Sequence, residues 1–203
     1  MLVVFDLDGT VIDSTQALLE SHEAAWSSVG VQSPPREAIL SLTGLPLIEI
    51  MKKLGPEFDP EELARVYSET YVKASRHERL FDGIPELLAI PFRAAVATGK
   101  SQRGADRVVK EFGFEGRFEV VLGGNSVAKP KPNPDLLYSI METTGTKDIV
   151  MVGDTTYDLQ MARAAGVKGI GVSWGHHDSE ELRKWASVAD SVRELSDMLG
   201  VSI

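Results

Sequence analysis

Phe5-Asp6-Leu7-Asp8-Gly9-Thr10 decides how this chain is read. The residues that lead into it, Leu2 to Phe5, form a short apolar run that suits a buried strand, and the run stops at two acids separated by one residue. Strand alternation sends both carboxylates to the same side. In an open α/β sheet, ligands bind at the carboxyl ends of the strands, which is where this pair falls. Gly9 then permits a sharp backbone turn, so that N–H groups of the turn can point at an anion.

Three further apolar runs stand out along the chain: Ala94 to Ala97, Ile149 to Val152 and Lys168 to Val172. Helix-period stretches lie between them, from Ser101 to Phe112, Pro134 to Thr144 and Tyr157 to Ala165, each closed by a glycine. Glu119 to Leu122 reads as a weaker fifth strand, and Ser179 to Leu199 as a helical tail broken near Ala189 and Asp190. Strands alternating with helices imply an α/β fold with a Rossmann-like parallel sheet. Residues 14–80 differ, because they carry only helical periodicity and loops. They are expected to form an inserted helical cap domain, with residues 1–13 and 81–203 forming the core. Within the insert, Asp59-Pro60-Glu61-Glu62 supplies an N-cap, a proline at the first helical position and a glutamate at the capping-box position, predicting a long helix toward Arg79. Trp26, Leu42, Ile48 and Tyr67 are its expected core, and Thr43-Gly44-Leu45-Pro46 turns the chain between shorter helices.

Composition narrows the function. The chain has 203 residues, 43% of them hydrophobic, with 21 Lys and Arg against 30 Asp and Glu and a formal net charge of −9, which excludes a basic nucleic-acid binder. The absence of cysteine closes disulfide, thiolate, Cys-zinc and iron–sulfur chemistry. No apolar run reaches the ~18 residues a membrane helix needs, and the start of the chain has no leader-like pattern, so a cytoplasmic protein that does not engage membranes is expected.

More chemistry-bearing residues follow the later strands. Thr98, ahead of Gly99-Lys100-Ser101, offers a hydroxyl and a helix N-terminus to a phosphate oxygen. Lys129-Pro130-Lys131-Pro132-Asn133-Pro134-Asp135 is a proline-stiffened loop that presents a cation before a helix. Gly153-Asp154-Thr155-Thr156-Tyr157-Asp158 puts one acid at a strand end and another four residues on. Unit charges about 4 Å apart repel by roughly 4 kcal/mol at an effective dielectric near 20, so Asp6, Asp8 and Asp154 gathered at one edge call for a cation. Oxygen donors without His or Cys favour Mg²⁺, and a hard metal beside a lysine and a hydroxyl suits phosphoryl transfer.

In this order, Asp6-x-Asp8-Gly9-Thr10, Thr98, Lys131-Pro132-x-Pro134-Asp135 and Gly153-Asp154-x-x-x-Asp158 resemble the haloacid dehalogenase superfamily over essentially the whole chain. The insert resembles that family's helical C1 cap, and Val96 to Ser101 looks like phosphoglycolate-phosphatase-like members. The resemblance implies Mg²⁺-dependent hydrolysis of a small phosphate monoester. Asp6 would be the nucleophile that forms an aspartyl-phosphate, and Asp8 the general acid and then base. Asp6, the backbone carbonyl of Asp8 and Asp154 would hold Mg²⁺, with Asp158 in an outer position. Gly9, Thr10, Thr98, Gly99 and Lys131 would bind the phosphoryl group, and Thr43 to Pro46 would be a cap specificity loop. Lys129 also begins a K-P-x-P string and competes with Lys131. The Lys131 register is adopted because it places Asp135 after the second proline, ahead of Leu136-Leu137. The stretch Leu87 to Arg93 is shorter than the family's usual helix and turn.

A phosphomutase of the β-phosphoglucomutase type would use the same core and is the alternative. A receiver-type signalling module is disfavoured by motif order, a P-loop by Ala94 where glycine is required, and a dinucleotide fingerprint by Trp174 at the third glycine position. His176-His177 reads as a solvated loop with no metal role. A monomer or weak homodimer is expected.

Overall fold

A strand that is apolar at every position belongs in a sheet covered on both faces, and β1 (Leu2–Phe5) is buried along its whole length. The computed structural model describes residues 1–201. After β1 come β2 (Ile12–Asp13), the helices α1 (Thr15–Ser28), α2 (Arg36–Leu40), α3 (Leu47–Leu54) and α4 (Pro60–Ala74), and then β3 (Arg79–Leu80) and α5 (Ile84–Ala89). The chain continues through β4 (Ala94–Ala97), α6 (Gln102–Glu111), β5 (Val121–Leu122), α7 (Asp135–Thr144), β6 (Ile149–Gly153) and α8 (Thr156–Ala165). It ends with β7 (Lys168–Val172), α9 (Ser179–Arg183), β8 (Ser187–Ala189) and α10 (Val192–Leu199).

Six strands form one parallel sheet in the order β5-β4-β1-β6-β7-β8. The chain steps from β1 to β4 and β5 on one side and returns to β6 on the other, which puts the topological switch at β1. Alternation divides the strands between two cores. Val3, Phe5, Val96, Val150 and Val152 pack with α5, α6 and α10, while Leu2, Val4, Ala95, Ala97 and Met151 pack with α7 and α8. A third cluster, with Trp26, Met51, Leu63 and Tyr67 at its centre, holds α1, α3 and α4 together apart from the sheet. The chain leaves for these helices through β2 and returns through β3, and the two pair antiparallel. Among the described residues, no helix is long and apolar enough to cross a membrane.

Several expectations need correction. The fifth strand is reduced to Val121–Leu122. The break in the tail is a sixth strand, β8, paired with β7. Three residues are too few to show a period in sequence, yet Val188 and Ala189 are buried there. The helix expected to run toward Arg79 stops at Ala74, and after a single 3-10 turn Arg79 joins β3 opposite Asp13. Asp59 does cap α4, accepting the Glu61 N–H at 3.0 Å, but Glu62 grips Arg65 instead of closing a capping box. Leu42 is only half buried and lies outside the helical cluster. The short stretch after α5 is held by Arg117, whose guanidinium donates to the carbonyls of Leu88, Ile90 and Phe92 at 2.6, 3.2 and 2.9 Å.

Because Asp59 satisfies an orphan N–H at the helix start and Glu62 does not, Asp59→Ala should lower stability by about 1 kcal/mol. Glu62→Ala, which removes only an exposed pair, should cost clearly less. Urea denaturation of the two variants checks the order.

Candidate active site

The switch point gathers side chains from neighbouring strands. Asp6 follows β1, Thr98 follows β4 and Asp154 follows β6, and these strands are adjacent in the sheet. Lys131 arrives from the loop before α7 and is fully buried, with its Nζ 3.0 Å from Asp6 Oδ1 and 2.6 Å from Asp158 Oδ1. Lys129 is exposed, so the adopted register is the one that brings a lysine to the acids. Asp158 lies in the first turn of α8, where it and Thr155 form a reciprocal capping box. Its Oδ2 accepts the Thr155 N–H at 3.0 Å and the Thr155 hydroxyl at 2.7 Å.

Asp6, Asp154 and Asp158 are all buried, and one carboxylate oxygen from each lies within 4.8 Å of the others. An all-oxygen set of this kind fits a hard divalent cation. Burial pushes the Asp6 carboxyl up to about 7; Lys131 pulls it down, and Asp158, Asp154 and Asp8 push it further up. Asp154 behaves in the opposite way. Burial opposes its charge, but the hydrogen bonds and charge of His176 and the Thr10 hydroxyl outweigh that and hold it below the usual carboxylate range. The Asp8 carboxylate is not part of this group and instead faces Lys100, 3.0 Å away.

Two expectations fail here. The amides of Gly9 and Thr10 are committed to the turn itself, donating to Ile12 O at 2.8 Å and Leu7 O at 3.2 Å, so they do not point at an anion. The Thr10 hydroxyl donates to Asp154 Oδ1 at 3.0 Å and so serves the acid. Gly9 is needed for a different reason: its φ is +76°, and a Cβ there would overlap Asp154 and His176. Nor is His176-His177 a solvated loop. The His176 ring is nearly enclosed, and Asp154 Oδ2 lies 2.8 Å from its backbone N and 2.9 Å from its Nδ1. That pairing raises its pKa against the effect of burial. His177 Nδ1 lies 3.1 Å from the Thr156 N–H, and burial holds its pKa down. The signal for His176 was its place just beyond β7, on the same edge as the acids, after a glycine that leaves room for Asp154.

A cavity of about 860 Å³ opens above the acids. Asp6, Asp8, Thr98 and Gly99 line its floor, and Leu45, Ile48, Ile50 and Tyr67 line its far wall. The Thr43 to Pro46 turn is lowered onto the sheet edge, where a Cβ on Gly99 would meet Gly44 O at 2.7 Å and one on Gly44 would meet Thr155 Oγ1 at 2.9 Å. Thr98 is buried, and its Oγ1 accepts the Lys100 N–H at 3.3 Å. Sequence reading did not reach Lys100, Tyr71, Glu78 and Arg107, which form one polar cluster around the Lys100 ammonium. The available hint was that Lys100 stands two residues beyond Thr98 at the same sheet edge.

Comparison with known proteins places the chain in a family. The tyrosine-protein kinase PtkA of Mycobacterium tuberculosis is 31% identical over 211 residues, covering 98% of this chain and 72% of PtkA. A phosphoglycolate phosphatase of Neisseria meningitidis is 29% identical over 191 residues, covering 87% of this chain and 81% of that protein. The structure of a hydrolase from Pseudomonas syringae superimposes with a TM-score of 0.87 at 23% identity, covering 98% of each chain, and so shares the fold. The pattern of the haloacid dehalogenase-like hydrolase family matches residues 3–172, and the chain belongs to that family.

Proposed function

We propose that this chain, a phosphatase of its family, hydrolyses small phosphate monoesters in two steps through an aspartyl-phosphate, and that it needs Mg²⁺ to do so. The observation that carries the reading is the buried set of Asp6, Asp154, Asp158 and Lys131 at the switch point, beneath a cavity that also reaches Asp8 and Thr98. Residues 14–80 act as the cap, and residues 1–13 with 81–201 as the core; residues 202–203 of the expected core lie outside the described residues.

In this reading Lys131 and the Leu7 N–H, 3.0 and 2.7 Å from Asp6 Oδ1, fix the carboxylate and leave Oδ2 to attack phosphorus. The bond from phosphorus to the leaving oxygen breaks, and Asp8 gives that oxygen a proton. Asp8 then takes a proton from water, which attacks the same phosphorus. The bond to Asp6 breaks and inorganic phosphate leaves. Thr98 and Lys131 hold the phosphoryl oxygens. Asp6, Asp154 and the Asp8 carbonyl would hold Mg²⁺, which offsets charge on the transferring oxygens when bound. Asp158 keeps Lys131 and Thr155 in place.

The decisive experiment is a product assay over a panel of small phosphate monoesters. Wild-type protein with Mg²⁺ should release free phosphate, while EDTA or Asp6→Asn should abolish turnover. Full activity in Asp6→Asn would overturn the mechanism. An isomerised sugar phosphate or a phosphorylated hydroxyl acceptor as the product would replace hydrolysis with transfer.

Metal binding should depend on pH in a defined direction. Below about pH 7 the metal-free Asp6 carries a proton that Mg²⁺ must displace. Affinity for Mg²⁺, measured calorimetrically, should therefore weaken as the solution is taken from about pH 8 to about pH 5. An unchanged affinity would remove Asp6 from the ligand set.

The cap turn bears on selection of the leaving group. Thr43 to Pro46 carries no charge, so it excludes water better than it grips a second phosphate, and it contacts the variable part of the substrate. Leu45→Arg should lower kcat/KM on the best monoester of the panel by on the order of tenfold or more. The loss on p-nitrophenyl phosphate should be much smaller. Equal losses, with circular dichroism unchanged, would show that this turn does not select.

A further inference from the structure

The Lys100 ammonium stands at the meeting point of the sheet edge and the helical layer, and the phosphatase chemistry described so far does not use it. Its side chain is only 9% exposed. A buried ammonium is tolerated only with close partners, and the partners here are unusual in where they come from. Asp8 Oδ1, 3.0 Å away, belongs to the turn after β1. The Tyr71 hydroxyl, at 2.7 Å, comes from α4 of the helical layer, and the ammonium also stands over the Tyr71 ring, 4.4 Å from its centre. Glu78 Oε1, at 3.3 Å, comes from the residue between the 3-10 turn and β3. The Tyr71 hydroxyl donates in turn to Glu78 Oε1 at 2.6 Å, and Arg107 from α6 grips Glu78 Oε2 at 2.8 Å.

We propose that Lys100 is a positioning residue that fixes the Asp8 carboxylate for proton exchange with the leaving oxygen, and that Tyr71 and Glu78 set Lys100 so that this happens when the helical layer covers the site. The proposal rests on the phosphatase reading and on the acid role of Asp8 within it. Among the described residues, Lys100 is the only cation paired with Asp8. A carboxylate on a turn can swing about its side-chain torsions. With Oδ1 pinned to the ammonium, Oδ2 is left to carry the proton given to the leaving oxygen and later the one taken from water. Because α4 supplies the Tyr71 hydroxyl, withdrawal of the helical layer removes one of the contacts that place the ammonium.

The same cluster could be a strap between the two layers, or Lys100 could bind the phosphoryl group directly. Both of those roles would slow every substrate alike. A role in placing the proton donor would not, because a good leaving group departs without a proton and a poor one cannot. The test is therefore a series of substituted phenyl phosphates of similar size, from p-nitrophenyl to unsubstituted phenyl, with kcat/KM measured on the Mg²⁺-loaded full chain. Lys100→Met keeps the apolar stem and Arg107 still neutralises Glu78, while Asp8 is left without its cation. It should lose about tenfold or more on phenyl phosphate and less than about threefold on p-nitrophenyl phosphate, steepening the dependence on leaving-group acidity. Lys100→Arg should restore part of the loss, and Tyr71→Phe, which removes one hydroxyl and no charge, should show the same pattern more weakly. Asp8→Asn supplies the reference slope. If Asp8→Asn is steep while Lys100→Met and Tyr71→Phe keep the wild-type slope, this proposal is overturned and the phosphatase reading stands. If Asp8→Asn itself keeps the wild-type slope, the acid assignment fails and the proposal falls with it. Should Lys100→Met fail to fold, Tyr71→Phe alone decides.

Discussion

Carboxylates packed together out of water repel one another, and the site at the head of this sheet exists because that repulsion is met by fixed cations and hydrogen-bond donors. Asp6, Asp8, Asp154 and Asp158 are all buried or nearly so. Lys131 joins Asp6 to Asp158, His176 closes on Asp154, and Lys100 faces Asp8. Each of these contacts also ties two parts of the chain together: the loop before α7 to β1 and α8, the loop after β7 to the end of β6, and the start of α6 to the turn after β1. Removing one partner would leave an uncompensated buried charge, which destabilises more than the pair itself stabilises. The same contacts therefore hold the strand ends in register and set the chemistry of the site.

The parallel sheet was readable because fully buried strands leave continuous apolar runs, and the runs at Leu2, Ala94, Ile149 and Lys168 start where β1, β4, β6 and β7 start. The acids were readable because they end those runs. β8 was not, since three residues joined to β7 only by pairing carry no period of their own. The end of α4 was misplaced for a related reason: Arg79 leaves the helix to pair with Asp13, a partner distant in sequence. His176 and Lys100 were missed on different grounds. Local composition makes each look like a solvated polar residue, and only the fold puts them against Asp154 and Asp8. The amides of Gly9 and Thr10 show the reverse case, where a glycine turn that suggested an anion nest spends its N–H groups on its own closure.

The two layers divide the work in a way the chemistry of their surfaces explains. The sheet edge presents carboxylates, a lysine and a hydroxyl, groups that act on a phosphoryl group whatever it is attached to. The facing wall presents Leu45, Ile48 and Ile50, which discriminate by shape and apolar contact, beside the polar side chains of His22 and Tyr67. A pocket of this second kind separates similar substrates weakly, by roughly 1–3 kcal/mol per methylene. In the proposed reading, selectivity depends on how well the turn at Thr43 to Pro46 seats on the sheet edge around a given leaving group. The close approach of Gly44 to Gly99 and Thr155 leaves little slack there.

Charge at the site also orders its events. A phosphate group entering beside Asp6 and Asp8 adds negative charge to an enclosed acidic cluster whose protein cations are already engaged. At about 4 Å and an effective dielectric near 20, each added pair of like charges costs roughly 4 kcal/mol. Lys131 cannot answer that alone, because Asp158 at 2.6 Å already holds it more closely than Asp6 does. In the proposed reaction a divalent cation is thus required for the substrate to settle as well as for the chemical step. The raised pKa of Asp6 fits the same balance, since without added positive charge this carboxyl sheds its burial cost by keeping its proton.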